Sequence, residues 1–312
     1  MERGLLQRNK SVFRASIKRY WFLYAILVPA MLLVLVFNYI PIVLQSIMSL
    51  IHFNLRDGLF GSDFVGLQNY IDLFSPVNNV GRLVRNTIEI SLLRMAFGFF
   101  PPLILAIILF DLRSVKYRKI AQTIVYIPYF FSWVIVYGIS YGLFSAEGLL
   151  SSIIQAFGGE GKNYLMFAQY IRPILVSTSL WKNVGWGTII YLAALTSIDG
   201  QLYDSAKIDG CGPLQRIWHI TLPGIRHIII FLLMLNIGNL LRNVDAEQIL
   251  LFYNPATYSK ADVIDTWLYR IGLKEFEYGL GTALAFLQST LGLIMILTAN
   301  YISRKKFKVS LW

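Results

Sequence analysis

Histidines, cysteines and carboxylates hold metals and carry most proton and acyl-transfer chemistry, and this sequence gathers few of them together. Its three histidines, His52, His219 and His227, are scattered, and the step from 219 to 227 fits no helical ligand spacing. Cys211 stands alone, without a histidine in a context suited to nucleophilic chemistry, and reads as a small loop residue. The stretch Gly158-Gly159-Glu160-Gly161-Lys162-Asn163 approaches a phosphate-binding loop. It lacks the first glycine at the right offset and the final hydroxyl, so it reads as a flexible turn. Glu89 and Arg94 fall in an apolar run, about 140° apart around a helix. Two readings are open for them: a charged relay inside a membrane, or side chains that snorkel to its surface. Lys182 poses the same choice. No catalytic set and no metal or cofactor held by the chain itself is expected.

The composition says what must position these groups. Of 312 residues, 56% are hydrophobic and only 14% charged, with a mean hydropathy of +0.58. A soluble domain carries about a quarter charged residues, so too little charge remains to cover a water-facing surface. The net charge is nevertheless +11. Proteins that bind nucleic acid through phosphates keep a charged, soluble surface. Disorder is incompatible with this hydrophobicity. A polytopic membrane protein remains.

Runs long enough to cross a bilayer as helices fall at about 21–50, 86–110, 121–145, 173–196, 225–251 and 279–302, which predicts an all-α membrane protein with six transmembrane helices. Arg3, Arg8, Lys10, Arg14, Lys18 and Arg19 precede a first run too long for a cleaved signal peptide, so it reads as a retained anchor. If both ends face inward, segments 1–20, 111–120, 197–227 and 303–312 hold 17 Lys and Arg against 5 acids. The outer segments 51–85, 146–172 and 243–278 hold 8 against 11. Positive charge stays on the cytoplasmic side, so both termini are expected there. The basic segment 1–20 and the basic tail 303–312 then flank one transmembrane domain, 21–302. The loops reach about 30 residues, too short for a soluble catalytic domain.

The cytoplasmic segment 197–223 is the most informative. Asp199 suits an N-cap and Gly200–Asp209 a short helix; Gly210-Cys211-Gly212 ends it, and Pro213 opens a second helix. In that helix Leu214, Ile217 and Trp218 form one apolar stripe suited to anchoring it on the bundle, and Leu222-Pro223 stops it before the fifth span. The order Asp204-Ser205-Ala206, three residues, Gly210, nine residues, Ile220-Thr221-Leu222-Pro223 resembles the EAA motif of permease subunits in binding-protein-dependent ABC importers. That pattern is Glu-Ala-Ala-x3-Gly-x9-Ile-x-Leu-Pro. The spacing is kept; Asp204 replaces Glu and Ser205 replaces the first Ala. Phe64–Tyr70, Asn86-Thr87, Ile127-Pro128 with Ser132, and Tyr191–Leu195 are similar to other parts of the family. Ala261–Thr266 through Tyr269-Arg270 resembles its branch for complex oligosaccharides.

The resemblance implies a type I ABC-importer permease in the bacterial plasma membrane, carrying oligosaccharides and catalysing no covalent step. It implies a second homologous permease subunit, a dimeric cytoplasmic ABC ATPase that holds ATP and Mg, and an extracytoplasmic solute-binding protein. Segment 197–223 would be the coupling loop, with Asp204, Ser205, Ala206, Asp209, Gly210, Ile220, Leu222 and Pro223 transmitting the movement of the ATPase. A self-sufficient secondary transporter or channel is the alternative; it requires an essential intramembrane acid such as Glu89.

The fifth span is apolar for only about 15 residues before amides and charges interrupt it, too few to cross the hydrocarbon core. Interrupted backbone at that depth is tolerated where it lines protein or a water-filled cavity. Asn236, Asn239, Asn243 and Gln248 are therefore expected either to line an aqueous path, with Trp181 and Trp186 offering apolar faces to a sugar, or to bond between helices. Gly138 and Gly142 suggest close helix packing, and Pro101-Pro102 a kink.

Overall fold

A computed structural model describes residues 19–242 and 245–310. Asn243, most of the basic N-terminal segment and the end of the C-terminal tail lie outside the described residues. The described chain is mostly helical and divides into two compact units.

The first unit comprises the described residues up to Asp72, with Glu277–Phe286. Its long helix α1, Arg19–Met48, is wholly exposed along its apolar length. A wider, π-type turn at Leu35–Tyr39 precedes Pro41, whose missing N–H it accommodates. Beyond α1, β1 (Ile51–His52) pairs antiparallel with β2 (Asp63–Phe64), Ile51 opposite Phe64. Asn69, in the short helix α2 (Gln68–Leu73), is buried, and its amide donates to the carbonyls of Ser49 and Ile51, both at 3.0 Å. Gly279 is needed beside it, because a Cβ there would lie 2.8 Å from the Ile51 carbonyl.

The second unit holds Leu73–Phe276 and the described residues from Leu287. Helices α3 (Val80–Asp111) and α7 (Ala168–Thr196) form its most extensive contact. Helix α3 continues through Pro101-Pro102, and the Pro102 ring occupies the space left by Gly187, where a Cβ would come within 3.1 Å. One buried cluster joins Ile90 of α3 and Ile171 and Leu175 of α7 to Ile249 and Val263. A second joins Leu103, Ala106, Tyr191, Leu195 and Ile225 near the 197–223 segment.

The third expected span is not one helix. Helix α4 (Val115–Tyr126) passes into a tight turn, Ile127–Phe130, before α5 (Trp133–Phe144) and α6 (Leu149–Ala156). Pro128 donates no N–H, and Ser132 starts α5 afresh by accepting the amide of Ile135 at 3.3 Å. The fifth span is bent by 65° between α9 (Pro213–Gly224) and α10 (Arg226–Gly238), and α11 (Ala246–Phe252) follows. Helix α12, Ile264–Leu268, precedes the last helix, α13, Tyr278–Phe307. By length and apolarity, Arg19–Met48, Val80–Asp111, Trp133–Ala156 and Tyr278–Phe307 qualify as spans among the described residues, with the bent pair as a fifth. Helix α7 is 29 residues long but carries Arg172 and Lys182. Helices approach closely at Gly185, Gly187 and Gly238 rather than at Gly138 and Gly142, around which no atom lies within Cβ contact.

Candidate functional site

The 197–223 segment is built by local chemistry. The Asp199 carboxylate accepts the Gln201 amide at 2.9 Å and starts α8, Gly200–Ile208. Its C-terminus closes with two amide donations, Cys211 to the Ala206 carbonyl (2.9 Å) and Gly210 to the Lys207 carbonyl (3.1 Å). This is the Schellman pattern, which requires a left-handed residue, and Gly210 has φ +75°. Pro213 then opens α9, and the Gln215 side chain reaches back to accept the Gly212 amide at 2.8 Å.

The elbow presents Asp204, Ser205, Asp209 and Gly210 to the exterior, with Ile208 86% exposed at its tip. Asp204 lies 2.9 Å from Lys207. Ala206 faces inward and is buried, so Ser205 alone of the small pair is open to a partner. The expected apolar anchor also differs. Leu214 and Trp218 are 71% and 68% exposed; only Ile217 is half-buried. A π-type turn at Ile217–Thr221 widens the helix and directs Thr221 inward instead, where it bonds the Tyr203 hydroxyl at 3.0 Å. Tyr203 packs on Phe110 at the end of α3, ring centroids 5.9 Å apart. Ile220 and Leu222 are half-buried, and Pro223 is exposed one residue before α9 ends at Gly224, in keeping with a stop at Leu222-Pro223. The chain turns at Ile225, and Gly224 leaves room for Ile198. A cavity of about 290 Å³ lies between the end of α3 and this elbow, with Phe110, Asp111, Tyr203, Lys207 and Arg216 on its walls.

The amides of the interrupted fifth span take different positions. The Asn236 side chain donates to the Leu232 carbonyl one turn back, at 2.8 Å, and is half-buried; Asn239 is exposed at the end of α10. Gln248 is fully buried. Its amide nitrogen donates to the Leu175 carbonyl (2.9 Å) and the Thr178 hydroxyl (2.7 Å), and its oxygen accepts from the buried Arg94 guanidinium. Trp181 and Trp186 are partly exposed on α7, Trp186 stacked on Tyr129 with centroids 4.5 Å apart.

The ionisable residues left open by spacing are structural ties. Arg94 pairs with Asp245 at 3.6 Å as well as Gln248, so it is enclosed by protein and does not snorkel. Glu89 accepts from Arg85 (2.6 Å) and from Arg172. Lys182 donates to the carbonyls of Tyr129 (2.7 Å) and Phe131 (2.5 Å). Sequence reasoning missed a further hub. Asn86 donates to the Asp262 carbonyl (2.8 Å), Thr87 accepts the Ile264 amide (3.0 Å), and buried Asp262 pairs with Arg270 (2.8 Å). Burial by itself pushes the Arg270 guanidinium down, but the hydrogen bond and charge of Asp262, with Tyr253 and Tyr258, together hold it above its ordinary value. No group of three or more metal-ligating side chains occurs among the described residues.

The family model described as "Binding-protein-dependent transport system inner membrane component" matches residues 15–308. The protein LplB of Bacillus subtilis is 39% identical over 292 residues, covering 93% of this chain and 91% of LplB. The polygalacturonan/rhamnogalacturonan transport system permease protein YteP of the same organism is 37% identical over 285 residues, covering 91% and 88%. Among solved structures, a chain of a bacterial alginate ABC transporter, in complex with an alginate pentasaccharide-bound periplasmic protein, superposes with a TM-score of 0.87. It is 36% identical and covers 95% of this chain and 99% of that one.

Proposed function

The chain belongs to the inner membrane components of binding-protein-dependent transport systems, and from that premise we propose that it is one of two homologous permease subunits of an ATP-driven oligosaccharide importer. The observation that carries the mechanism is the capped elbow at Asp199–Pro213, an exposed helix held by a left-handed glycine and rooted on α3 through Tyr203 and Phe110. Such a short rigid projection suits enclosure by a cytoplasmic ATPase pair that holds ATP and Mg. Asp204, Ser205, Asp209 and Gly210 form its contact face, with Asp204 accepting charge-assisted bonds from a cation of the ATPase. Ala206, Ile220, Leu222 and Pro223 shape and root the elbow, so that closure of the ATPase moves α7 and α9 together.

In this reading the chain crosses the plasma membrane six times, α7 included, with segments 1–20, 197–223 and 303–312 in the cytoplasm. A binding protein delivers sugar to the opposite face. The path passes the interrupted fifth span, where Asn236, Asn239 and Asn243 offer hydrogen bonds and Trp181 and Trp186 offer apolar faces. Gln248 reaches it only when its present bonds open. The uronate-rich substrates in the names of two similar proteins make an acidic oligosaccharide the first cargo to try. Glu89, the acid that the gradient-driven alternative would use, is engaged by Arg85 and Arg172, which favours the importer reading.

The test is reconstitution with candidate partners. Asp204→Lys is expected to abolish sugar-stimulated ATP hydrolysis while the chain still inserts. Full stimulation in that variant would remove the elbow from the coupling role, and uptake by the chain alone would favour a secondary transporter.

A further inference from the structure

Three consecutive features of α7 face the break in the third span. Lys182 donates to the carbonyls of Tyr129 and Phe131, at 2.7 and 2.5 Å, and its ammonium lies 5.4 Å from the Tyr129 ring and 5.5 Å from the Trp133 ring. One turn on, Gly185 lets α7 approach so closely that a Cβ would sit 2.2 Å from the Val125 carbonyl, at the end of α4. Trp186 stacks on Tyr129 at an interplanar angle of 6°. The turn Ile127–Phe130 and the start of α5 are thus gripped by residues 182, 185 and 186 of one helix.

Carbonyls freed where a membrane helix is interrupted are the groups that discontinuous transporter helices use to coordinate mobile cations. A positive charge is favoured at such a C-terminal end, and an unpaired carbonyl in hydrocarbon is costly. Here the cation is covalently attached to the neighbouring helix. We propose that Lys182 is a positioning residue: a tethered cation that fills the carbonyl site of the broken third span and fastens that break to α7. Given the coupling role assigned above to segment 197–223, on which this second step rests, the fastening makes the break move with the elbow. Helix α7 runs directly into that segment at Thr196. The ammonium replaces a mobile ion, so the break stays closed at any ionic composition. Without the side chain, the site accepts a free alkylammonium of matching size.

Two arms test this. In the first, the full chain in lipid nanodiscs is followed by amide hydrogen exchange. Lys182→Ala is expected to speed exchange at residues 127–135 by at least about tenfold, the loss of hydrogen bonds to a charged donor. Ethylammonium chloride, but not sodium chloride at equal ionic strength, is expected to reverse it. Should the Ala variant fail to fold, Lys182→Met keeps the stem and decides alone. Unchanged exchange in the folded variant overturns the proposal. So does fast exchange spread over α3 and α7 that ethylammonium leaves untouched. In the second arm the assembled transporter carries Lys182→Met, and ATP-driven uptake is expected to fall about tenfold while ATPase binding persists. Wild-type uptake in a variant with a loosened break would overturn the link to coupling. An absence of ATP-driven uptake in the wild-type chain would instead sink the importer reading and leave the exchange result standing.

Discussion

At the scale of single residues, the polar groups inside this bundle do the holding. A buried amide or guanidinium without partners costs several kcal/mol in an apolar surround, and these side chains meet partners far away in the chain. Arg94 and Gln248 are separated by 154 positions, and Asn86 and Asp262 by 176. No local period or motif connects such pairs, so spacing left Arg94 and Lys182 between a relay and a surface group, and left Gln248 between a water path and an inter-helix bond. The structure places Gln248 across α3, α7 and α11, with every polar atom engaged. Gln248→Leu keeps the volume and removes all three bonds. It is expected to cost about 2–3 kcal/mol and to lower the midpoint of thermal unfolding by roughly 5 °C or more. Gln248→Glu, which retains an acceptor for Arg94, is expected to lose less. Melting of the Leu variant at the wild-type temperature would show that the tie contributes little.

At the scale of elements, legibility followed how local the cause is. The cap at Asp199, the left-handed Gly210 and the opening at Pro213 are each set by neighbours within a few residues, and all three are legible in the sequence. Widened turns are not written that way. The π-type turn at Ile217–Thr221 puts Thr221 inside, while Leu214 and Trp218 face outward. The interruption at Ile127–Phe130 was masked by an apolar run that continues across it, although Pro128 and Ser132 are its local agents. The end of α10 was foreseen from its amides, and it yields a separable prediction. Asn236 donates to the Leu232 carbonyl one turn back and Asn239 is exposed, so Asn236→Leu and Asn239→Leu are expected to cost no more than about 1 kcal/mol of thermal stability each. Their effect belongs to transport: sugar uptake by the assembled importer should fall severalfold in at least one. Wild-type uptake in both would move the path elsewhere.

At the scale of the whole molecule, the charge distribution and the helices make one joint claim that either alone leaves incomplete. Sorting the 25 basic and 16 acidic residues of the inner and outer segments assigns both termini to the cytoplasm only if the number of crossings between them is even. Length and apolarity supply four spans, and a bent fifth, among the described residues; the even count depends on α7. That helix is less apolar because it is the hub of its unit: Lys182 and Thr178 are buried against protein and Arg172 is bonded to Glu89, so their cost in lipid does not arise. A helix whose polar side chains are bonded to protein in this way can cross a bilayer at lower apolarity than one that lipid surrounds. The prediction isolates this crossing. In a Cys211→Ser background, Phe157→Cys and Ile208→Cys place thiols at positions 89% and 86% exposed, on either side of α7. A membrane-impermeant maleimide applied to spheroplasts is expected to label position 157 directly, and position 208 only after permeabilisation. Labelling of both in intact spheroplasts would mean that α7 does not cross, and would put the Asp204 elbow out of reach of a cytoplasmic ATPase.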